Sequence, residues 1–498
     1  MKCKVRLEPI GEEYYFECGT SLRDVLIAHN FDFPCGGNGI CGKCKVRVIA
    51  GNINVDEKHS RLLRAMNLSS DWRLACYSYV TEDVTLYFDQ RYLSIISDSA
   101  FIAATTEKGF GIAVDLGSTT IVSQLVNLEN GNIISTVSSI NPQSAYGADI
   151  ISRISYALSS QEHALFLSRI VKDTIKSQIL NLLSAKCYDI RKIFIVGNSV
   201  MQHLFCSFDV APLSVFPFQS NNNGMQVFKP SDLGLANMVN CDIYFLPNLG
   251  HFVGSDILAG IEAIQMHKQK RFQVLVDLGT NGEIVVGNSD IIIYTSTAAG
   301  PAFEGVNISQ GMKASNGAIY QVNEIDSSIQ VIGNSQPIGI CGSGLIDAIH
   351  YFLKIGLIDN FGTILENCHF LPICQDIGLN DRDIREFQLA KAAVRTGMDI
   401  LLEKGGISYD DVEHVYVAGG LGNYLNIDKA ISLGLFDSRC IGKIVKSGNT
   451  ALRGAKMFLF EDFEKDISNI VHKAEYCALE LFPNFQDIYC NNLLFSDR

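Results

Sequence analysis

The chain has 498 residues, a length that suits about three domains with sizeable cores. Lys and Arg number 40 against 53 Asp and Glu, and the net charge of −13 gives no basic footprint for a nucleic-acid backbone. Hydrophobic residues make up 47%, yet no apolar run approaches the ~18 residues of a membrane-spanning helix. The opening MKCKVRLEPIGEE places charges where a signal peptide needs its apolar core, so a cytoplasmic, reducing setting is expected. Of fifteen cysteines, four are grouped, and the scattered ones, Cys3 and Cys18 among them, are expected as small buried hydrophobes.

Residues 3–17 alternate as a β-hairpin turning at PIGEE. TSLRDVLIAHN predicts a helix capped by Thr20 or Ser21, with Asp24 three residues after Ser21. A loop carries Cys35, Cys41 and Cys44, KVRVIAG returns as a strand, and a short helix around SRLLRAMN follows. RLACYSYV holds Cys76, and DVTLYF closes the domain as a strand. The gaps between these cysteines are five, two and thirty-one residues. Two irons and two sulfides held by four thiolates carry negative charge, which backbone N–H groups must stabilise by pointing inward. Gly36, Gly37, Gly39 and Gly42 let the loop take positive φ and wrap closely. Zinc is the rival occupant, but four-cysteine zinc sites usually use two short pairs, and here the last cysteine stands alone. The order of elements resembles the β-grasp fold of 2Fe–2S ferredoxins. The plant-type pattern has four residues in the first gap; five resembles the adrenodoxin-like group and ferredoxin modules fused to reductases. This ferredoxin domain is assigned residues 1–93.

Residues 94–108, the later part of DQRYLSIISDSAFIAATTEK, show no clear periodicity and read as a linker. FGIAVDLGSTTIVSQLVNLENGNIIS then predicts a strand to Asp115, a tight turn on Gly117, and a second strand with a hairpin at ENGN. FQVLVDLGTNGEIVVGN repeats the design, aligning Asp277 with Asp115 and Thr280 with Ser118. Each copy is followed later by a strand that breaks into a glycine turn and a helix, KIFIVGNSVMQHLF and HVYVAGGLGNYL. A two-part element occurring twice in one order predicts duplication, hence two lobes facing across a cleft. The lobes are assigned residues 109–265 and 266–498, with the C-terminal segment a candidate to pack back on the first.

A strand ending in Asp and turning on Gly plus Ser or Thr exposes backbone N–H groups beside a carboxylate. The N–H groups and hydroxyls suit phosphate oxygens, and the carboxylate suits Mg²⁺ held through water. Asp115 and Asp277 are therefore the candidates for Mg²⁺ and for positioning water in catalysis. Gly117, Ser118, Thr119, Thr120, Gly279, Thr280, Asn281 and Gly282 are the candidate phosphate turns. Gly419, Gly420, Gly422 and Asn423 offer flat backbone to an adenosine. Glu283 and Glu304 are balanced between the cleft and solvent, and GICGSGLIDAIHYFL between an anion-binding helix start and tight packing. His203 reads as a satisfied helix histidine, and NPQSAYGADIISRI as a helix start on the surface. Neither a Walker lysine motif nor a GxGxxG after a strand is present.

VDLGSTT, VDLGTNGE and VAGGLGNY resemble the two phosphate motifs and the adenosine motif of actin, the heat-shock ATPases and the sugar and acetate kinases. The expected fold class is thus α+β multidomain: a β-grasp 2Fe–2S ferredoxin followed by a two-lobed, RNase H-like α/β ATPase. NPQSAYGADIISRI, STAAGPAFEGVNISQGM, GICGSGLIDA, QLAKAAVRTGMDILL and SGNTALRGA narrow the resemblance to the reductive activators of corrinoid proteins, over nearly the whole chain. That resemblance implies an ATP-hydrolysing electron-transfer enzyme that returns inactive Co(II) to Co(I) in a methyltransferase system such as an O-demethylase. It implies a 2Fe–2S cluster, ATP and Mg²⁺ as cofactors, a corrinoid protein and a low-potential electron donor as partners, and a homodimer. The chain departs from some relatives in two respects: the gap after the ferredoxin is too short for a further domain, and the tail has only the isolated Cys477 and Cys490. Two other activities share the fold, a small-molecule kinase with a regulatory ferredoxin and an activator of a radical dehydratase that would use Cys341. A non-enzymatic electron-transfer adaptor, its ATPase a switch without turnover, is a further reading.

Overall fold

The computed structural model describes the chain except residues 1, 9–10, 28–30, 32, 34, 38, 40–41, 67, 89–106, 185–187, 280, 326, 366–368, 423, 461 and 496–498. The linker 94–108 therefore lies almost wholly outside the described residues, as do Cys41, Thr280 and Asn423.

The ferredoxin region is one five-stranded sheet in the order Glu12–Glu17, Lys2–Glu8, Val84–Tyr87, Lys45–Ala50, Trp72–Leu74. Val5 and Leu7 pair alongside Val84 and Leu86, so alternate residues of parallel neighbours point into one core. Helix Leu22–Ile27 closes that core with Leu22, Val25 and Leu26. The second helix spans Glu57–Ala65 and begins earlier than its apolar spacing indicates. Asp56 supplies the reason, since its side chain accepts from the His59 N–H at 2.7 Å and starts the helix there. Buried His59 in turn accepts from the Leu74 N–H at 2.9 Å through Nε2, which ties this helix to the strand before Cys76. Cys3 and Cys18 are not separate buried thiols as expected: the hairpin register sets Lys2 opposite Glu17, and the structure joins the two cysteines in a disulfide.

Each lobe is built on a six-stranded sheet. The first has the order Gln226–Phe228, Ile243–Phe245, Ile190–Gly197, Phe110–Leu116, Thr120–Asn127, Ile133–Ile140. The second has Ile444–Gly448, Val412–Ala418, Phe272–Leu278, Gly282–Gly287, Ile292–Thr297, Ala474–Tyr476. In both, the aspartate-bearing strand runs parallel to the later glycine-turn strand and antiparallel to its own hairpin partner. Asp115 stands opposite Val196, and Asp277 opposite Ala418, so both halves of the repeated element end side by side. The near-continuous apolar runs before each aspartate are what a strand covered on both faces requires.

Between the lobes, helix Ser255–Ala263 packs on helix Thr450–Met457. The latter also lies against strands Phe110–Leu116 and Ile190–Gly197 of the first sheet. Gly454 permits the crossing, because a Cβ there would come within 1.8 Å of the Ala259 carbonyl oxygen. Among the described residues no helix is long and apolar enough to cross a membrane. Gly454→Val should force these helices apart at a cost of about 1–3 kcal/mol or more, read as an earlier thermal unfolding of the ATPase lobes. An unchanged melting profile would show that the crossing is not tightly packed.

Candidate functional site

The cysteine loop follows helix Leu22–Ile27, and Gly36, Gly37, Gly39 and Gly42 all adopt positive φ. Cys44 is buried, and its Sγ lies 3.2 Å from Cys76 Sγ. The hydrogen bond with Cys76 pushes the Cys44 thiol far above its ordinary value; burial adds to this, and Cys35 contributes repulsion. Packed this tightly, such thiols ionise only beside a cation that offsets their charge. The donor set of Cys35, Cys44 and Cys76 therefore fits thiolate-bound iron, and Cys41 lies outside the described residues.

A cleft of about 270 Å³ opens between the lobes. Asp115 and Asp277, ending equivalent strands, both line it, as do Asp256 and Glu283. Burial raises Asp115 to about 6, moderated by Asn449, whose Nδ2 donates to its Oδ2 at 2.8 Å. Burial and then repulsion from Asp277 raise Asp256 to about 7. Burial and then Asp115 raise Asp277 to about 7, and Glu283 is held well above the carboxylate range by burial and by Asp256. Carboxyls crowded this way from two lobes form a hard-oxygen donor set of the kind a divalent cation satisfies.

Gly117, Ser118, Thr119 and Thr120 line the cleft from the first lobe, and Gly279 and Asn281 from the second. Gly419 and Gly420 border it at the third motif. Gly282 and Gly422 do not. A Cβ on Gly282 would meet Thr297 Oγ1 at 2.8 Å, so that glycine serves sheet packing, and Gly422 faces the Val417 and Gly419 carbonyls. Glu283 and Glu304, balanced by sequence, both face the cleft. Gly342 and Ser343, opening helix Gly342–Lys354, line it as well. His203 is satisfied away from the cleft, with Nδ1 2.7 Å from the Ser199 carbonyl and Nε2 2.7 Å from Ser220 Oγ.

NPQSAYGADIISRI is not a surface segment. Asn141 Nδ2 donates to the Gly117 carbonyl at 2.9 Å, and Arg153, fully buried, donates to the carbonyls of Ser118 and, through Nε at 2.8 Å, Gly147. This stretch holds the turn after Asp115 from behind. Asp256 and Asn449 were equally missed by sequence reasoning. Asn449 caps a helix after a glycine turn in SGNTALRGA, and Asp256 sits in the first turn of another in GSDILAG, placements that a helix start explains without any ligand.

Residues 110–269 match the model of the RACo middle region, and 271–498 that of the C-terminal domain of RACo, the ASKHA domain. Residues 5–81 match the 2Fe–2S iron-sulfur cluster binding domain. Over 422 residues the chain is 34% identical to the corrinoid activation enzyme RamQ of Eubacterium limosum, covering 78% of this chain and 71% of that protein. This chain belongs to the RACo family. It is also 26% identical to the [Co(II) methylated amine-specific corrinoid protein] reductase of Methanosarcina barkeri, over 78% of this chain and 77% of that one. A solved reductive activator for corrinoid, iron-sulfur protein superposes with a TM-score of 0.68 at 25% identity, covering 99% of this chain and 98% of that one. The expected fold, a β-grasp ferredoxin joined to a two-lobed ASKHA module, is the fold of this RACo-family chain.

The raised acids make stability pH-dependent. Asp256 and Asp277 hold protons in the fold up to about 7, whereas the unfolded chain releases them near 3.8. Their contribution is present below the lower value and is lost as pH rises through the upper one. Asp277→Asn removes one such group, so its melting temperature should fall less steeply between about pH 4 and 7 than that of the parent. Equal slopes in parallel thermal melts would contradict the crowding.

Proposed function

We propose that the chain uses ATP in the two-lobed cleft to drive one-electron reduction of a corrinoid protein's Co(II) to Co(I), within a methyltransferase system such as an O-demethylase. The observation that carries this reading is the joining, in one chain, of a thiol knot at Cys35, Cys44 and Cys76 to a cleft where Asp115 and Asp277 converge. The names of the relatives, a corrinoid activation enzyme and a Co(II) corrinoid protein reductase, point the same way.

Cys35, Cys41, Cys44 and Cys76 would hold a 2Fe–2S cluster, which supplies one-electron chemistry at low potential. Asp115 and Asp277 would hold Mg²⁺ through water, and the cation offsets the charge of the triphosphate. The backbone N–H groups of the two turns, with the hydroxyls of Ser118, Thr119, Thr120 and Thr280 and the amide of Asn281, grip the phosphates from both sides. Gly419 and Gly420 give the adenosine a flat backbone. Asp256, a carboxyl lining the cleft beside Asp277, is placed to take the proton of an attacking water. Every ~59 mV of unfavourable potential costs a one-electron transfer a factor of ten in equilibrium. That is the work a nucleotide cycle is suited to supply. A cytoplasmic homodimer fed by a low-potential donor is the setting that goes with this chemistry.

The radical-dehydratase reading would place a cluster ligand at Cys341 between subunits. Cys341 is buried within one chain beside the cleft, its Sγ 3.4 Å from the Ile319 carbonyl oxygen and from Ser343 Oγ. That environment disfavours the reading. The kinase reading predicts phosphate transfer to an added sugar or acid.

The test mixes the full-length protein, a low-potential reductant and a cob(II)alamin-loaded corrinoid protein, with and without ATP. Co(I) absorbance should appear only with ATP, and equal rates without nucleotide would refute the proposal. Asp277→Asn should slow ATP hydrolysis by about 10²-fold or more while leaving the visible iron–sulfur spectrum intact. Loss of that spectrum would contradict the separation of the two sites.

A further inference from the structure

The ferredoxin head does not hang free of the ATPase. It touches both lobes at the mouth of the cleft. On the first lobe, Arg23 Nη1 donates to the Ala145 carbonyl at 3.3 Å, and its guanidinium sits 4.3 Å from the centre of the Tyr146 ring. The Tyr146 hydroxyl donates to Asp24 Oδ1 at 2.7 Å. Gly36 presses on the same segment so closely that a Cβ would lie 2.5 Å from the Ala148 nitrogen. On the second lobe, the Lys43 ammonium donates to three carbonyls, those of Gly305 and Ile308 at 3.4 Å and that of Gly311.

Each foothold is connected to a phosphate turn. Arg153 bonds the Ser118 carbonyl in the first turn and the Gly147 carbonyl in the segment under Gly36. Glu304 adjoins Gly305, and its Oε1 comes within 3.9 Å of the Cβ position of Gly279 in the second turn. A triphosphate held at that turn would crowd Glu304 and press on the loop that carries the carbonyls held by Lys43. Closure of the two turns on one ligand would also change the distance between the footholds, which a rigid head could not follow on both lobes.

We propose that docking of the ferredoxin head and binding of Mg-ATP oppose one another, with Lys43 as the latch on the second lobe and Arg23 as the latch on the first. In the docked state the loop carrying Cys35 faces the ATPase. ATP releases that loop, so the cysteine-bearing face meets a partner protein only when the cleft is charged. The inference rests on the proposed function, since it needs the cleft to hold ATP. Coupling is reciprocal: whatever factor ATP takes from docking, docking takes from ATP affinity.

The test uses full-length holoprotein, a fluorescent ATP analogue to measure affinity, and hydrogen exchange of the ferredoxin segment 20–27, which lies outside the nucleotide cleft. In the parent, Mg with a non-hydrolysable ATP analogue should raise exchange of that segment by about tenfold. Lys43→Met should show the raised exchange without nucleotide and bind the fluorescent analogue about tenfold more tightly, with an unaltered visible cluster spectrum. Because Lys43 neighbours Cys44, Arg23→Gln is the second variant; it lies on helix Leu22–Ile27, where its guanidinium packs on Gly37 of the cysteine loop, and it should behave the same way, again with an unaltered cluster spectrum. Nucleotide binding without any change in exchange, or unchanged affinity in both variants, would overturn the latch and leave the proposed function standing. Failure of the cleft to bind nucleotide at all would overturn both.

Discussion

Asp115, Asp256, Asp277 and Glu283 are held half-buried in one cleft, drawn from both lobes, where their charges repel. Nothing about a single strand turn would create that situation. It arises because duplicated sheets are set face to face by the crossing of Ser255–Ala263 on Thr450–Met457, one of whose helices also carries Asp256. The stored repulsion makes the cleft a receptor for positive charge. Under the proposed function, affinity for a magnesium-bound triphosphate would then depend on how nearly the lobes approach. Geometry and electrostatics are therefore one variable here.

The turns that face this charge are braced by buried polar groups. Asn141 and Arg153 donate to the Gly117 and Ser118 carbonyls behind the first turn. Arg153 is fully buried, and burial lowers its guanidinium to about 10. Such a group persists only because its carbonyl partners satisfy it, and removing them would strand a charge in the interior. The same bracing reaches Gly147, where the ferredoxin rests. Rigidity at the phosphate turn and contact with the redox head are thus consequences of one side chain.

Fused domains need not communicate, and a ferredoxin beside a nucleotide cleft could be mere tethering. The contacts at Arg23, Gly36 and Lys43 straddle the two lobes instead of resting on one. A body that touches both sides of a hinge senses its angle. That arrangement separates this architecture from a kinase with an appended domain, for which a footing on a single lobe would suffice.

Local chemistry made much of this readable from the chain. Cysteine spacing with interleaved glycines, apolar runs ending in Asp-Leu-Gly, and a recurring strand–turn–helix each encode backbone geometry within a dozen residues. Those features determined the ferredoxin, the duplication and the positions of Asp115 and Asp277. Glycine alone was ambiguous: Gly282 and Gly422 sit in motifs beside the cleft but serve packing. Asp256, Asn449 and Asn141 were hidden because a place at a helix start explains each locally, and Arg153 because an arginine ordinarily reads as a surface residue. Their roles come from partners as distant in sequence as Asn449 and Asp115, and no periodicity records that distance. Only the folded chain decided which acids share one cleft and where the redox head stands, since both follow from packing between separately folded units.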